Sequence, residues 1–117
     1  MKQYIAVLLL LIISFIIFYR QKVEIIYFYS KDCIVSNQTD SIIEDIERNF
    51  NRNVNVIYVD GFNPEGERQK KMVDLYNINS VPVIIIDGSV FKGEFTYESL
   101  KSSICERFVF KPSACFK

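Results

Sequence analysis

Residues 83–94 read VIIIDGSVFKGE, two β-rich runs joined by Asp87-Gly88. An Asp-Gly pair between such runs is the signature of a two-residue hairpin turn, because both central residues must take positive φ. The stretch therefore predicts antiparallel strands over Val83–Ile86 and Ser89–Glu94. Downstream, Thr96 is a helix cap, and Tyr97, Leu100, Ile104 and Phe108 follow on one helical face. Pro112 is expected to end anything helical. Upstream, Val81-Pro82 stands directly before the hairpin, where a proline is tolerated because no ladder bond is yet required of it.

Further toward the N-terminus the pattern alternates. Asn63 and Pro64 signal a helix start, with Met72, Val73 and Tyr76 as its apolar face and a stop near Asn77. Val54–Asp60 (VNVIYVD) reads as a strand. Before it, Ile42, Ile43, Ile46 and Phe50 form a single stripe on a helix that starts after Ser30–Asp32. Val23–Tyr29 (VEIIYFY) is too apolar for an exposed edge and too short for a stable helix, which makes it a central strand. The order is β-α-β-α-β-β-α, an α/β arrangement with a parallel pair completed by the hairpin.

The first twenty residues are a different material. Tyr4–Tyr19 (YIAVLLLLIISFIIFY) carries no charge, and Lys2 and Arg20 bound it. As a helix this run is about 24 Å long, somewhat short of a hydrocarbon core of roughly 30 Å, with interfacial tyrosines and snorkelling cations to extend it. The FYRQK that follows offers no small-residue cleavage site, so the run reads as an uncleaved signal anchor, a single transmembrane helix. The expected organisation is an anchor over 1–20, a domain over 21–110 and a C-terminal tail over 111–117.

The 117 residues are half apolar, with 14 basic and 14 acidic side chains, so the chain lacks the basic bias of a nucleic-acid binder. It has no histidine, which excludes Ser-His-Asp and Cys-His catalysis within the chain and imidazole metal sites; no metal or cofactor is implied. Three cysteines are the reactive side chains. Cys33 stands where the first strand has ended and the first helix begins. Unsatisfied N–H groups there favour thiolate over thiol, and the thiolate is the nucleophile of disulfide exchange. Asp32 opposes this by like charge. Ser36, one turn on, can donate a hydrogen bond to the sulfur but cannot resolve a mixed disulfide. Cys105 and Cys115 either pair, which pins the tail and suits an oxidising compartment, or stay as two thiols in a cytosol-facing domain. Basic residues beyond the anchor (Arg20, Lys22, Lys31) favour a cytoplasmic domain, and a disulfide favours translocation. The expectation adopted is a single-pass membrane protein with an extracytoplasmic domain.

The strand order resembles that of the thioredoxin family, together with Tyr27-Phe28-Tyr29-Ser30 leading to Cys33-Ile34-Val35-Ser36, Ser80-Val81-Pro82-Val83, and Phe91-Lys92-Gly93 before the last helix. The resemblance spans residues 23–108. It implies a three-layer sandwich, a cis Pro82 across from Cys33, and a Val81 backbone that pairs with an extended substrate peptide. It further implies thiol–disulfide exchange with protein or small-molecule partners, of isomerase or capture type. The chain departs from the family pattern at Asp32, where tryptophan is usual, and at Ser36, where the second motif cysteine is missing. A dithiol cycle at this site is thereby excluded, and a redox-silent module that binds a protein partner is the alternative function.

Overall fold

A computed structural model describes residues 2–19, 22–31 and 34–117, and the side chains of all of these except 18, 19 and 34–37. The elements are α1 (Lys2–Tyr19), β1 (Val23–Tyr29), α2 (Ile34–Phe50), β2 (Val54–Asp60), α3 (Gly66–Leu75), β3 (Val83–Ile86), β4 (Ser89–Val90) and α4 (Tyr97–Cys105), with 3-10 turns at Asn51–Asn53 and Ser113–Phe116. The four strands form one sheet in the order β2-β1-β3-β4. β1 runs parallel to β2, with Val23 opposite Val54 and Tyr29 opposite Asp60. It runs antiparallel to β3, with Ile25 opposite Ile86 and Phe28 opposite Val83.

Alternation of side chains along β1 divides the core in two. Val23, Ile25 and Tyr27 pack with Ile43, Ile46 and Phe50 of α2 and with Leu100 and Ile104 of α4. Ile26 and Phe28 face the other way, joined by Val59 and Ile85 and covered by Met72, Val73 and Tyr76. The result is a three-layer sandwich, two helices on one face and α3 on the other.

The hairpin turn has Asp87 at φ 47° and Gly88 at φ 83°. Asp87 Oδ1 accepts the Glu24 N–H at 2.9 Å, and the Asp87 N–H donates to the Glu24 carbonyl at 2.8 Å, so the turn is tied to the start of β1.

Four boundaries differ from the sequence expectation. The second hairpin strand stops at Val90 instead of Glu94: the Phe91 N–H still reaches the Ile84 carbonyl, but the chain then folds back so that the Phe91 and Phe95 rings meet at 6.1 Å. α3 begins at Gly66 with Glu65 as its cap, not at Asn63-Pro64, because Asp60 Oδ1 takes the N–H groups of Phe62 and Asn63 and holds them in a turn. α4 ends at Cys105, before Phe108, which is nonetheless buried and stacks on Phe50 with ring centroids 6.5 Å apart. Pro112 does not end all helical structure, since it caps the 3-10 turn that follows. Thr96 caps α4 as expected, accepting the Ser99 N–H.

α1 is helical over residues 2–19 of the expected anchor, and its described apolar side chains, from Tyr4 to Ile17, are exposed. Among the described residues no helix is long and apolar enough to cross a membrane. The described apolar run, Tyr4 to Ile17, measures about 21 Å at 1.5 Å per residue.

Cys105 and Cys115 form a disulfide with Cα atoms 5.9 Å apart. It draws the tail onto the domain, where Ala114 is buried and Lys111 Nζ donates to the Cys105 carbonyl at 3.2 Å. Opening so short a loop in the unfolded chain releases entropy worth about 2–3 kcal/mol. Cys105→Ser is accordingly expected to lower unfolding stability by that amount in denaturant titration, and reductant should produce the same loss in the native protein and none in the variant.

Candidate functional site

The C-terminal ends of the parallel strands β1 and β2 meet at one edge of the domain, the place where α/β sheets gather their ligands. β1 ends at Tyr29, followed by buried Ser30 and exposed Lys31. Cys33 and Asp32 lie outside the described residues. The backbone of α2 begins at Ile34, immediately after Cys33 in the chain, and Ser36 belongs to its first turn, its side chain outside the described set.

β2 passes from Asp60 into buried Gly61, whose N–H donates to the Tyr29 carbonyl at 2.8 Å. A Cβ on Gly61 would lie 2.6 Å from Val81 Cγ1 and 3.4 Å from Ile78 Cγ2, so the absence of a side chain lets the 78–82 loop press onto the ends of both strands. The Val81-Pro82 peptide bond is cis. Since Val83 lies opposite Phe28, continuing the antiparallel register brings Pro82 level with Tyr29 and Val81 level with Ser30. Ser30 precedes Cys33 by three residues, a span of at most ~11 Å between Cα atoms. The loop containing Val81 and Pro82 thus borders the exit of β1 at Tyr29 and Ser30. Cys105 and Cys115 belong elsewhere: the Cys105 carbonyl accepts the Phe108 N–H at 3.3 Å, and Phe108 stacks on Phe50 at the far end of α2.

Next to this edge the structure adds residues that no sequence motif marked. Tyr29, Lys31, Tyr58, Asp60 and Gln69 line a cavity of about 180 Å³. Tyr27 and Tyr29 stack at 5.7 Å, and Tyr58 meets them edge-on at 5.9 and 6.3 Å. The Tyr27 hydroxyl donates to Asp40 Oδ1 at 2.6 Å and the Tyr58 hydroxyl donates to Glu47, so two tyrosines brace two carboxylates of α2. Burial, the bond to Glu47 and the nearby charges of Glu44 and Asp40 all push the Tyr58 phenol far above its ordinary value. Although Tyr58 remains 39% exposed, these contributions share one sign, so it stays a neutral donor throughout the physiological range. The alternation of Val54, Val56, Tyr58 and Asp60 was the available signal: period two puts Tyr58 and Asp60 on one face at the end of a parallel strand. Among the described residues no group of three or more potential ligands is placed to hold a metal ion.

The sheet order, the two-plus-one helix layers and the cis proline invite comparison with solved structures. One described as a malarial protein superposes with a TM-score of 0.59 at 17% identity, over 75% of this chain and 99% of its own. The germline-specific thioredoxin Deadhead of Drosophila melanogaster gives 0.57 at 13% identity, over 74% of this chain and 82% of its own. The chain has a thioredoxin-like fold. Oxidised thioredoxin from Plasmodium falciparum agrees, with a TM-score of 0.51 at 19% identity over 73% of this chain and 80% of its own. No family model and no curated protein matches the sequence.

The contact between Gly61 and Val81 is open to a double-mutant cycle. Gly61→Ala inserts a methyl group where Val81 already sits, and such overpacking costs about 1–3 kcal/mol. Chemical denaturation of Gly61→Ala should show a loss in that range, and adding Val81→Ala should recover part of it, because the two side chains contend for one space.

Proposed function

We propose that the protein is a membrane-anchored thiol–disulfide exchange protein that works through one nucleophilic cysteine, Cys33. The observation that carries this reading is the start of α2 at Ile34, one residue beyond Cys33, at the C-terminal end of the central strand. A helix N-terminus stabilises the thiolate there. The thiolate attacks one sulfur of a partner disulfide, a Cys33 mixed disulfide forms, and the partner's other sulfur leaves as a thiolate that takes up a proton. Ser36 holds no sulfur, so release requires a second thiol, from the partner or from a small molecule. The partner's extended backbone lies along Val81 and Pro82 in this reading. These roles, isomerisation or capture, need no cofactor.

Anchoring rests on α1, whose described apolar run is by itself too short to cross a membrane, so in this reading the flanking residues of the sequence extend it. A helix apolar on every side, with Leu8, Leu9, Leu10 and Leu11 all more than half exposed, finds no aqueous surface on which it is stable. The uncharged run from Tyr4 to Tyr19, flanked in the sequence by Lys2 and Arg20, suits a bilayer. The Cys105–Cys115 disulfide favours an extracytoplasmic domain.

Trapping tests the reading. Full-length protein recovered without reductant should carry covalent partners that reductant releases. Cys33→Ser should abolish them, Ser36→Cys should replace accumulation by turnover, and Cys105→Ser with Cys115→Ser should leave trapping intact. Adducts that survive Cys33→Ser would move the reactive thiol to the tail, and their absence from the unaltered protein would favour a redox-silent binding module.

A further inference from the structure

The two edges of the sheet are guarded differently. β4, at one edge, is only two residues long. β2, at the other, runs for seven, and among the described residues no strand lies outside it. Proteins blunt an edge of that length with proline, lysine or a bulge. β2 (VNVIYVD) has none of these: it contains neither proline nor a cation, and it pairs with β1 residue for residue from Val54 to Asp60.

The direction of its free backbone groups follows from one bond. The Gly61 N–H points inward to the Tyr29 carbonyl, so by alternation Asn55, Ile57 and Val59 turn their N–H and C=O toward β1, and Val54, Val56, Tyr58 and Asp60 turn theirs outward. Side chains alternate with the same period. Val54 and Val56 pack on the α2 side, where Tyr58 meets Tyr27 and Tyr29, and Ile57 and Val59 pack on the α3 side. The two ends of β2 also differ in charge. At its start Arg52 and Lys22 stand exposed against Glu24, Arg48 being paired with Asp45. Asp60 closes it, with Glu65 beside it and with Asp40 and Glu44 of α2 near enough to act on Tyr58, against Lys31.

We propose that β2 is the interface between two copies of this chain, paired antiparallel about Ile57 into one continuous sheet. Val56 of each copy then lies opposite Tyr58 of the other as a hydrogen-bonded pair, and the two Ile57 residues meet as a non-hydrogen-bonded pair with Cα atoms about 4.5 Å apart. A β-branched side chain opposite an aromatic one is a stabilising cross-strand pair. Antiparallel pairing also carries Arg52 of each copy to the Asp60 end of the other, whereas a parallel neighbour would set like charges together. A second copy is the occupant because the edge complements itself, in side chains and in charge. The two-fold axis of such a pair stands normal to the sheet, so both copies turn the same face to one side, a symmetry open to two chains held in one membrane. None of this depends on the reading of Cys33.

Cross-linking tests the register. Ile57→Cys, Asn55→Cys and Leu75→Cys are each introduced into the full-length Cys33→Ser chain, so that with Cys105 and Cys115 joined the new sulfur is the free thiol. Each variant is oxidised with copper–phenanthroline in detergent micelles. In the proposed pair two Asn55 residues lie roughly 14 Å apart, too far for a disulfide, so Ile57→Cys should form covalent dimer at least about tenfold faster than Asn55→Cys or the exposed control Leu75→Cys. Adding Val56→Pro removes an N–H that points outward and not to β1, and should slow dimer formation at position 57 to the rate of the controls. Equal rates at 55, 57 and 75 mark chance encounter or association through α1 and overturn the proposal. Dimer formation at 57 that is indifferent to Val56→Pro overturns it too, as does a product joining Ile57→Cys to a different polypeptide, which would give the edge to a foreign strand.

Discussion

β1 is bonded on both edges and covered on both faces, and every other element of the domain takes its place from that strand. Parallel pairing with β2 forces a helical crossover, supplied by α2, and antiparallel pairing with β3 brings the Val81-Pro82 bond to the strand's exit. Tyr27 and Phe28, adjacent in sequence and both fully buried, anchor the two separate cores. A charge or a helix-favouring register in this strand would dismantle both at once, since a shift of one residue exchanges the faces.

Much of this was legible because local chemistry and global fold agree. β1, β2 and β3 begin and end where their β-branched runs do, and Asp87-Gly88 turns as that pair should. The disagreements arise where one side chain overrides a pattern. Asp60 captures two N–H groups that Asn63-Pro64 would otherwise use to start α3. Phe108 keeps its helical periodicity in the sequence, yet reaches the core from a turn, because stacking on Phe50 requires burial and not helical backbone.

The candidate site was less legible than the fold. Cys33, Ser36, Val81 and Pro82 stood out as residue types at a strand-to-helix junction and before a strand. Gly61 did not, since nothing local to Asp60-Gly61 reveals that a valine twenty residues later will occupy the space of its missing side chain. The bracing of Asp40 and Glu47 by Tyr27 and Tyr58 is likewise a product of register between strands and helix, invisible until β1 and β2 are paired. The fold is thioredoxin-like, and the exchange chemistry proposed for it rests on one sulfur, that of Cys33, which precedes α2 in the sequence.

The acidity of that sulfur is therefore the direct test. With Cys105 and Cys115 joined, Cys33 is the remaining thiol of three, so its alkylation rate in the unreduced full-length protein can be followed against pH without interference. The account predicts a rate that reaches half its maximum well below the ordinary thiol value of about 8.5, the helix N-terminus outweighing the neighbouring charge of Asp32. A midpoint at or above that value would contradict it.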